Sequence, residues 1–352
     1  METKIRVISG DEKKDNLIYK EAKEILNNGG LVAFPTETVY GLGGDALDAN
    51  ASKKIYAAKG RPSDNPLIVH IASIDALNKL SVEVPKEALM LAKKFWPGPM
   101  TMILKKSDIV PKETTGGLDT VAIRMPSHKV ANRLILETGV YIAAPSANTS
   151  GKPSPTRAEH VINDLSGKID MIIQDDTVDI GLESSIIDLS EDVPTILRPG
   201  YITKKDFESV LGKVNIDPAI VGEVRPGVAP KAPGMKYKHY APNADITIVE
   251  GSSSKVVDYI NERIKIDDAN GKKTAVMATE ETKDSYGNEH VYVLGSRKDE
   301  LSIAHNLFKV LRDFDKDGIE VVYSESFESA DVGQAIMNRL IKAAGHKVVN
   351  VD

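Results

Sequence analysis

The chain has 352 residues with 45 Lys and Arg against 51 Asp and Glu, a formal charge of -6, and is 41% hydrophobic and 27% charged. This is room for two ordinary domains and the composition of a globular protein; it excludes a disordered or fibrous chain and a basic footprint for nucleic acid spread over the whole molecule. Cysteine is absent, which excludes disulfides, thiolate metal sites and a cysteine nucleophile.

No apolar run approaches the roughly 18 residues of a membrane span. The charged first residues lack the apolar core of a secretory signal, so a cytoplasmic protein with no membrane contact is expected. Apolar spacing over 17–26, stopped by Asn27, Asn28, Gly29 and Gly30, predicts an amphipathic helix. The runs at 31–34, 67–72, 100–104, 120–125, 141–145, 169–174 and 184–189 are rich in β-formers and bounded by Gly, Pro, Asp or Ser, and so predict strands. Helical patterns lie between them at 51–58, 85–95, 129–137 and 157–165. Strands mixed irregularly with helices predict an α/β domain over 1–220 with a large mixed sheet.

Residues 225–243 hold four prolines, four Lys or Arg and no acidic residue. Such a stretch continues neither a helix nor a central strand, and 221–243 is expected to be an extended linker. Beyond it, over 244–352, β-rich runs at 245–251, 273–278, 290–295 and 319–325 alternate with helical patterns near 254–264, 301–314 and 331–344. That is the pattern of a small parallel, Rossmann-like α/β domain.

Two phosphate-loop patterns fail. GLGGDA at 41–46 fits a dinucleotide fingerprint, but no clean helix follows it and Asp64 sits in a Pro-flanked loop. Gly151-Lys152 lacks the earlier glycine of a Walker loop, since Ser146 stands there. The seven histidines show no metal-ligand spacing.

Polar residues gather instead where strands end. Thr36 and Thr38 follow the run at 31–34. Lys59 and Arg61 lead into a Pro-rich loop and a strand carrying His70. Two rigidly held cations suit a polyanion such as triphosphate, although Lys and Arg also favour the solvated C-terminus of a helix. Arg124 sits in an apolar strand, which is costly unless a buried carboxylate or a ligand carboxylate meets it. Ser146, Asn148, Ser150 and Ser154 surround Gly151, and Ser184 and Arg198 end another strand pair. This cationic and hydroxylic inventory fits anion binding better than acid–base hydrolysis.

The strings FPTETVYGLG, KGRPSDNPL, FWPGPMT, VAIRMPSH, APSANTSGKPSPT, GLESSIIDL and ILRPG, in this order, resemble the YrdC-like family of threonylcarbamoyl-AMP synthases. APGMKYKHYAP followed by a small α/β domain resembles that family's longer, two-domain form. The resemblance implies a twisted mixed sheet with a large concave cavity. It also implies a nucleotidyltransferase making threonylcarbamoyl-AMP and pyrophosphate from L-threonine, bicarbonate or CO2, and ATP, with Mg2+ on the phosphates and no metal ligand from the protein.

The product would pass to a tRNA threonylcarbamoyl-transferase complex, and a weak affinity for tRNA is compatible with this. By the same resemblance Lys59, Arg61, Asn65, Thr120, Ser146, Asn148, Ser154 and Arg198 hold ATP, with Lys59 and Arg61 catalytic and Tyr237 or Tyr240 reaching the phosphates from the linker. Thr36, Thr38, His70, Arg124, Ala144 and Ser184 hold threonine. The alternative is an RNA-binding module with a passive basic groove, disfavoured by the acidic balance and 5% aromatics. A hydrogenase-maturation carbamoyl transferase shares the domain but brings cysteine-rich zinc fingers, which a chain without cysteine cannot form.

Overall fold

The computed structural model describes residues 2–175, 178–220, 240–327 and 330–352. They fall into two compact units. The first takes the chain up to Ser150, then Ser154–Asp179 and the chain from Glu183 on; the second takes Gly151–Pro153, Ile180–Leu182 and the described chain from Tyr240 to Asp352.

In the first unit the strands are β1 (Lys4–Val7), β2 (Val32–Phe34), β3 (Gly41–Asp45), β4 (Ile68–His70), β5 (Met100–Lys105), β6 (Thr120–Arg124), β7 (Ile142–Ala143), β8 (Met171–Gln174), β9 (Ser185–Asp188), β10 (Thr195–Arg198) and β11 (Asn215–Ile216). They form one sheet in the order β1-β8-β2-β3-β7-β4-β6-β5-β9-β10-β11. Pairing is mixed: β4 runs parallel to β6, β5 antiparallel to β6, and β9 parallel to β5.

The helices begin and end where local chemistry dictates. Asp11 caps the helix Glu12–Asn27 by accepting from the Lys13 and Lys14 amides. Asp48 caps Ala49–Lys59, which stops at Gly60 in the left-handed region (φ 61°), leaving Lys59 as its last residue.

Side chains alternate across the central strands, and the two faces differ. Val69, Met102, Val121, Ile123, Ile187 and Ile196 join the main core. The opposite face carries a smaller apolar cluster of Ile68, Ile103, Ala122, Ile186 and Leu197. Alternation puts His70, Thr101 and Arg124 on that second face.

The sequence did not announce β1, β11, the helix Lys204–Leu211 or β3. The glycines of β3 serve packing: a Cβ on Gly43 would stand 2.6 Å from Ile142 Cγ2 and 2.8 Å from Phe34 Cε1.

The second unit holds β12 (Asp245–Glu250), β13 (Thr274–Ala278), β14 (Val291–Val293), β15 (Val321–Glu325) and β16 (Val348–Asn350). Their order is β14-β13-β15-β12-β16, with every pair parallel. Helices Ser253–Ala269, Glu300–Asp317 and Asp331–Ala343 complete the expected small α/β domain. Glu325, 1% exposed at the end of β15, accepts hydrogen bonds from Thr279 (3.2 Å), Thr282 and Tyr286 (2.7 Å) and pairs with Arg297 (2.5 Å). No helix among the described residues is long and apolar enough to cross a membrane.

Candidate active site

The site grows from the register of β4, β6 and β5. His70 lies beside Arg124 on one neighbouring strand and Thr101 beside it on the other. All three are buried: His70 3%, Arg124 4% and Thr101 0% exposed. A guanidinium at the centre of a sheet must be compensated.

Its compensation comes from the loop after β2. Arg124 Nη1 donates to Thr38 Oγ1 at 2.8 Å, and Nη2 stands 2.8 Å from Glu37 Oε1, off the N–H axis. Thr36 Oγ1 donates to the Val39 carbonyl at 2.6 Å, so in its 2.8 Å contact with Thr38 the Thr38 hydroxyl is the donor. The loop is therefore fixed by its own hydroxyls before any ligand arrives. Arg124 Nε and Nη2 and both Glu37 oxygens are buried without a hydrogen-bond partner. Nε and Nη2 form one edge of the guanidinium fork, the shape that grips a carboxylate with two parallel bonds.

Burial pushes the Glu37 carboxyl up, but the adjoining Arg124 guanidinium outweighs it, and the pKa ends below the ordinary carboxylate value. Burial, reinforced by the Arg124 charge, lowers His70 to about 3, so the imidazole is neutral. Its Nδ1 is 3.1 Å from the Ile68 carbonyl, and its ring meets the Phe34 ring edge-on at 6.3 Å.

Ser184, just before β9, is fully buried. Its hydroxyl is 2.7 Å from Thr101 Oγ1 and accepts from Arg198 Nη2 at 3.1 Å, while Arg198 Nε donates to the Ser184 carbonyl at 2.9 Å. Ala144 is buried after β7, its amide bound to Ile68 O at 2.8 Å.

A second group centres on Lys59, which is 2% exposed and thus no solvated helix end. Its ammonium donates to the Ser146 carbonyl at 2.5 Å and to the Asn148 carbonyl, tying the helix to the loop after β7. Ser146 Oγ donates to Asn148 Oδ1 at 2.5 Å, and Ser154 Oγ to Glu183 Oε1 at 2.5 Å. Arg61 Nη2 donates to the Asn65 and Pro66 carbonyls at 3.2 and 3.0 Å, and Asn65 itself is buried. Thr120 stands half-buried at the start of β6.

The structure thus joins Thr36, Thr38 and Arg124 into one bonded group, Ser184 and Arg198 into a second, and Lys59, Ser146 and Asn148 into a third. Tyr240 (φ 66°) belongs to the second unit, where its ring packs on Phe308 at 5.1 Å. Tyr237 and linker residues 221–239 lie outside the described residues. Glu37, Thr101 and Glu183 are the members that sequence reasoning passed over. Glu37 within FPTET and Thr101 within MTMIL carried the signal, each a polar residue in a run otherwise built for burial.

Comparison with known proteins assigns this architecture. The family model described as Telomere recombination (Sua5, YciO and YrdC) matches residues 24–200, and the model described as Threonylcarbamoyl-AMP synthase, C-terminal domain matches residues 202–345. A threonylcarbamoyl-AMP synthase of Pyrococcus abyssi is 49% identical over 98% of this chain and 99% of its own. The chain belongs to the threonylcarbamoyl-AMP synthase family, in its two-domain form.

A Bacillus subtilis family member is 47% identical over 94% of this chain and 93% of its own. The crystal structure of P. abyssi Sua5 complexed with L-threonine superposes with a TM-score of 0.93 at 48% identity, covering 99% of this chain and 100% of the other. The mixed sheet and the all-parallel second sheet are those of the family.

Proposed function

We propose that the protein condenses L-threonine, bicarbonate (or CO2) and ATP into threonylcarbamoyl-AMP and pyrophosphate. The observation that carries this is the Arg124 guanidinium, buried beside hydroxyls with no well-aligned hydrogen bond on its Nε–Nη2 edge, in a chain that matches over 99% of its length a relative complexed with L-threonine. The Arg124 edge takes the amino acid's carboxylate, and the hydroxyls of Thr36, Thr38 and Ser184, with neutral His70 and the Ala144 backbone, shape the rest of its pocket.

Threonine's nitrogen first loses a proton to solvent, and the free amine then bonds to carbon, of CO2 with loss of a second proton or of bicarbonate with loss of water, to give N-carboxy-threonine. Its new carboxylate oxygen bonds to the α-phosphorus of ATP as the bond to the bridging oxygen breaks, and pyrophosphate leaves with the electron pair. Such a transfer needs positioning and charge neutralisation more than proton movement. Lys59, Arg61 and Arg198 supply fixed positive charge; Asn65, Thr120, Ser146, Asn148 and Ser154 supply hydrogen bonds to the nucleotide.

Among the described residues no group of three or more His, Asp or Glu is placed to hold an ion. The cationic and hydroxylic donors fit the phosphates, and a divalent ion such as Mg2+ would arrive on those phosphates and would neutralise part of their charge. The product's mixed anhydride is labile, and it passes to a tRNA-modifying threonylcarbamoyl transferase in the cytoplasm.

Pyrophosphate release tests the reading. It should require threonine and bicarbonate together, and release without threonine, or none with both, contradicts it.

A further inference from the structure

Glu37 balances the buried charge of Arg124, yet that pairing leaves its carboxylate with acceptor capacity to spare. The carboxylate is 4% exposed and meets the Arg124 guanidinium at 2.8 Å, but neither oxygen makes a well-aligned hydrogen bond. Buried acceptor capacity left unused costs free energy. The backbone amides of Glu37 and Ser127 and the neutral His70 also face it.

Charge counting limits what that partner can be. Without ligand, Arg124 and Glu37 sum to zero. A bare carboxylate on Arg124 would leave this buried pair at minus one, which is unfavourable. A zwitterion returns the sum to zero, because it brings a cation along with its carboxylate. Its ammonium has three donors, and Glu37 has two waiting acceptors.

We propose that Glu37 is the ammonium acceptor of the amino-acid site, so that the site selects zwitterionic α-amino acids over carboxylates of the same shape. The substrate carboxylate takes the open edge of Arg124 while its ammonium takes a Glu37 oxygen, exchanging one internal ion pair for two with the ligand. The inference rests on the reading that this site binds threonine, and it concerns binding before the nitrogen is carboxylated.

The test is calorimetric titration of the full chain with L-threonine and with (R)-3-hydroxybutanoate, which is threonine without its amino group. The wild-type protein should bind threonine and bind the hydroxy acid at least about tenfold more weakly. Glu37→Gln should weaken threonine by about tenfold or more and tighten the hydroxy acid, an inversion that loss of folding or of Arg124 geometry cannot produce. Glu37→Asp, which keeps the charge, should retain the preference for threonine.

Equal weakening of both ligands by Glu37→Gln, or no change in either, overturns the proposal; so does wild-type protein binding the hydroxy acid as tightly as threonine, which needs no variant. Wild-type protein that fails to bind threonine at all overturns the functional reading beneath it instead.

Discussion

Arg124 Nη2 and Glu37 Oε1 stand 2.8 Å apart with both side chains 5% exposed, an ion pair joining the end of β6 to the loop after β2. The pair keeps a charged fork inside an apolar sheet without filling the fork. Breaking it from one side leaves a buried charge alone, an effect of about 3–5 kcal/mol where such pairs have been dissected.

Arg124→Ala should therefore act twice. The threonine requirement should rise by the equivalent of about 2–5 kcal/mol, with the ATP requirement nearly unchanged, and the melting temperature should drop because Glu37 is stranded. Steady-state kinetics with each substrate varied in turn, alongside thermal unfolding, separates the two. Equal weakening of both substrates would contradict the site.

His70 predicts an acid-sensitive fold. Its folded pKa of about 3 lies below that of an unfolded histidine, about 6.5, so the unfolded chain binds the extra proton in that window. The stability that neutral His70 preserves is complete above about pH 6.5 and is lost as pH falls toward about 3, at no more than about 1.4 kcal/mol per pH unit. Denaturant unfolding at pH 7.5 and pH 5 should show a smaller loss for His70→Gln than for wild type. An equal loss would mean that His70 titrates normally.

Lys59 should matter to nucleotide and not to threonine. Its ammonium holds the Ser146 and Asn148 carbonyls, so Lys59→Met removes charge-assisted bonds worth about 1.5–3 kcal/mol each in other proteins and loosens the loop. ATP affinity should fall by more than about tenfold. Arg61→Ala should likewise weaken ATP binding or the phosphoryl step while threonine binding to the ATP-loaded enzyme persists. Unchanged ATP titrations in both variants would remove this cluster from the nucleotide site.

Substrate selectivity follows from a pocket lined with hydroxyls. Serine lacks only a methyl, worth roughly 1–3 kcal/mol, and should be a poor but measurable substrate. Valine leaves the hydroxyl-binding groups unpaired and should be worse still. Valine matching serine in pyrophosphate release would mean that no group in the pocket reads the hydroxyl.

In the second unit, Glu325→Ala strands Arg297, Tyr286 and two threonines around a buried space. It should lower that unit's stability by several kcal/mol, about the effect of breaking a buried pair and discounted because Arg297 is 38% exposed. Hydrogen exchange resolved by segment should show β13 and β15 losing protection while β4–β6 keep theirs. Unchanged protection in β13 and β15 would show the cluster to be energetically idle.

Much of this was legible in the chain before its structure. Short β-rich runs bounded by Gly, Pro, Asp or Ser marked the central strands, and one arginine in TVAIR called for a carboxylate. What hid was set by tertiary packing. Gly41–Asp45 looks like a loop because glycine disfavours strands, yet Ile142 and Phe34 crowd β3 so closely that only glycine fits. Lys59 carries the signature of a solvated helix end, and only the fold brings the Ser146 and Asn148 carbonyls to it, 87 and 89 residues along the chain. Glu37 went unread because its partner lies far away in sequence, on another strand.

One measurement bears most directly on the whole account. Incubate the full chain with ATP, Mg2+, L-threonine and carbon-labelled bicarbonate, and analyse the nucleotides by mass spectrometry. Labelled threonylcarbamoyl-AMP should form in step with pyrophosphate and be absent when threonine is omitted. ATP turned over to AMP or ADP with no label in any adenylate would contradict it.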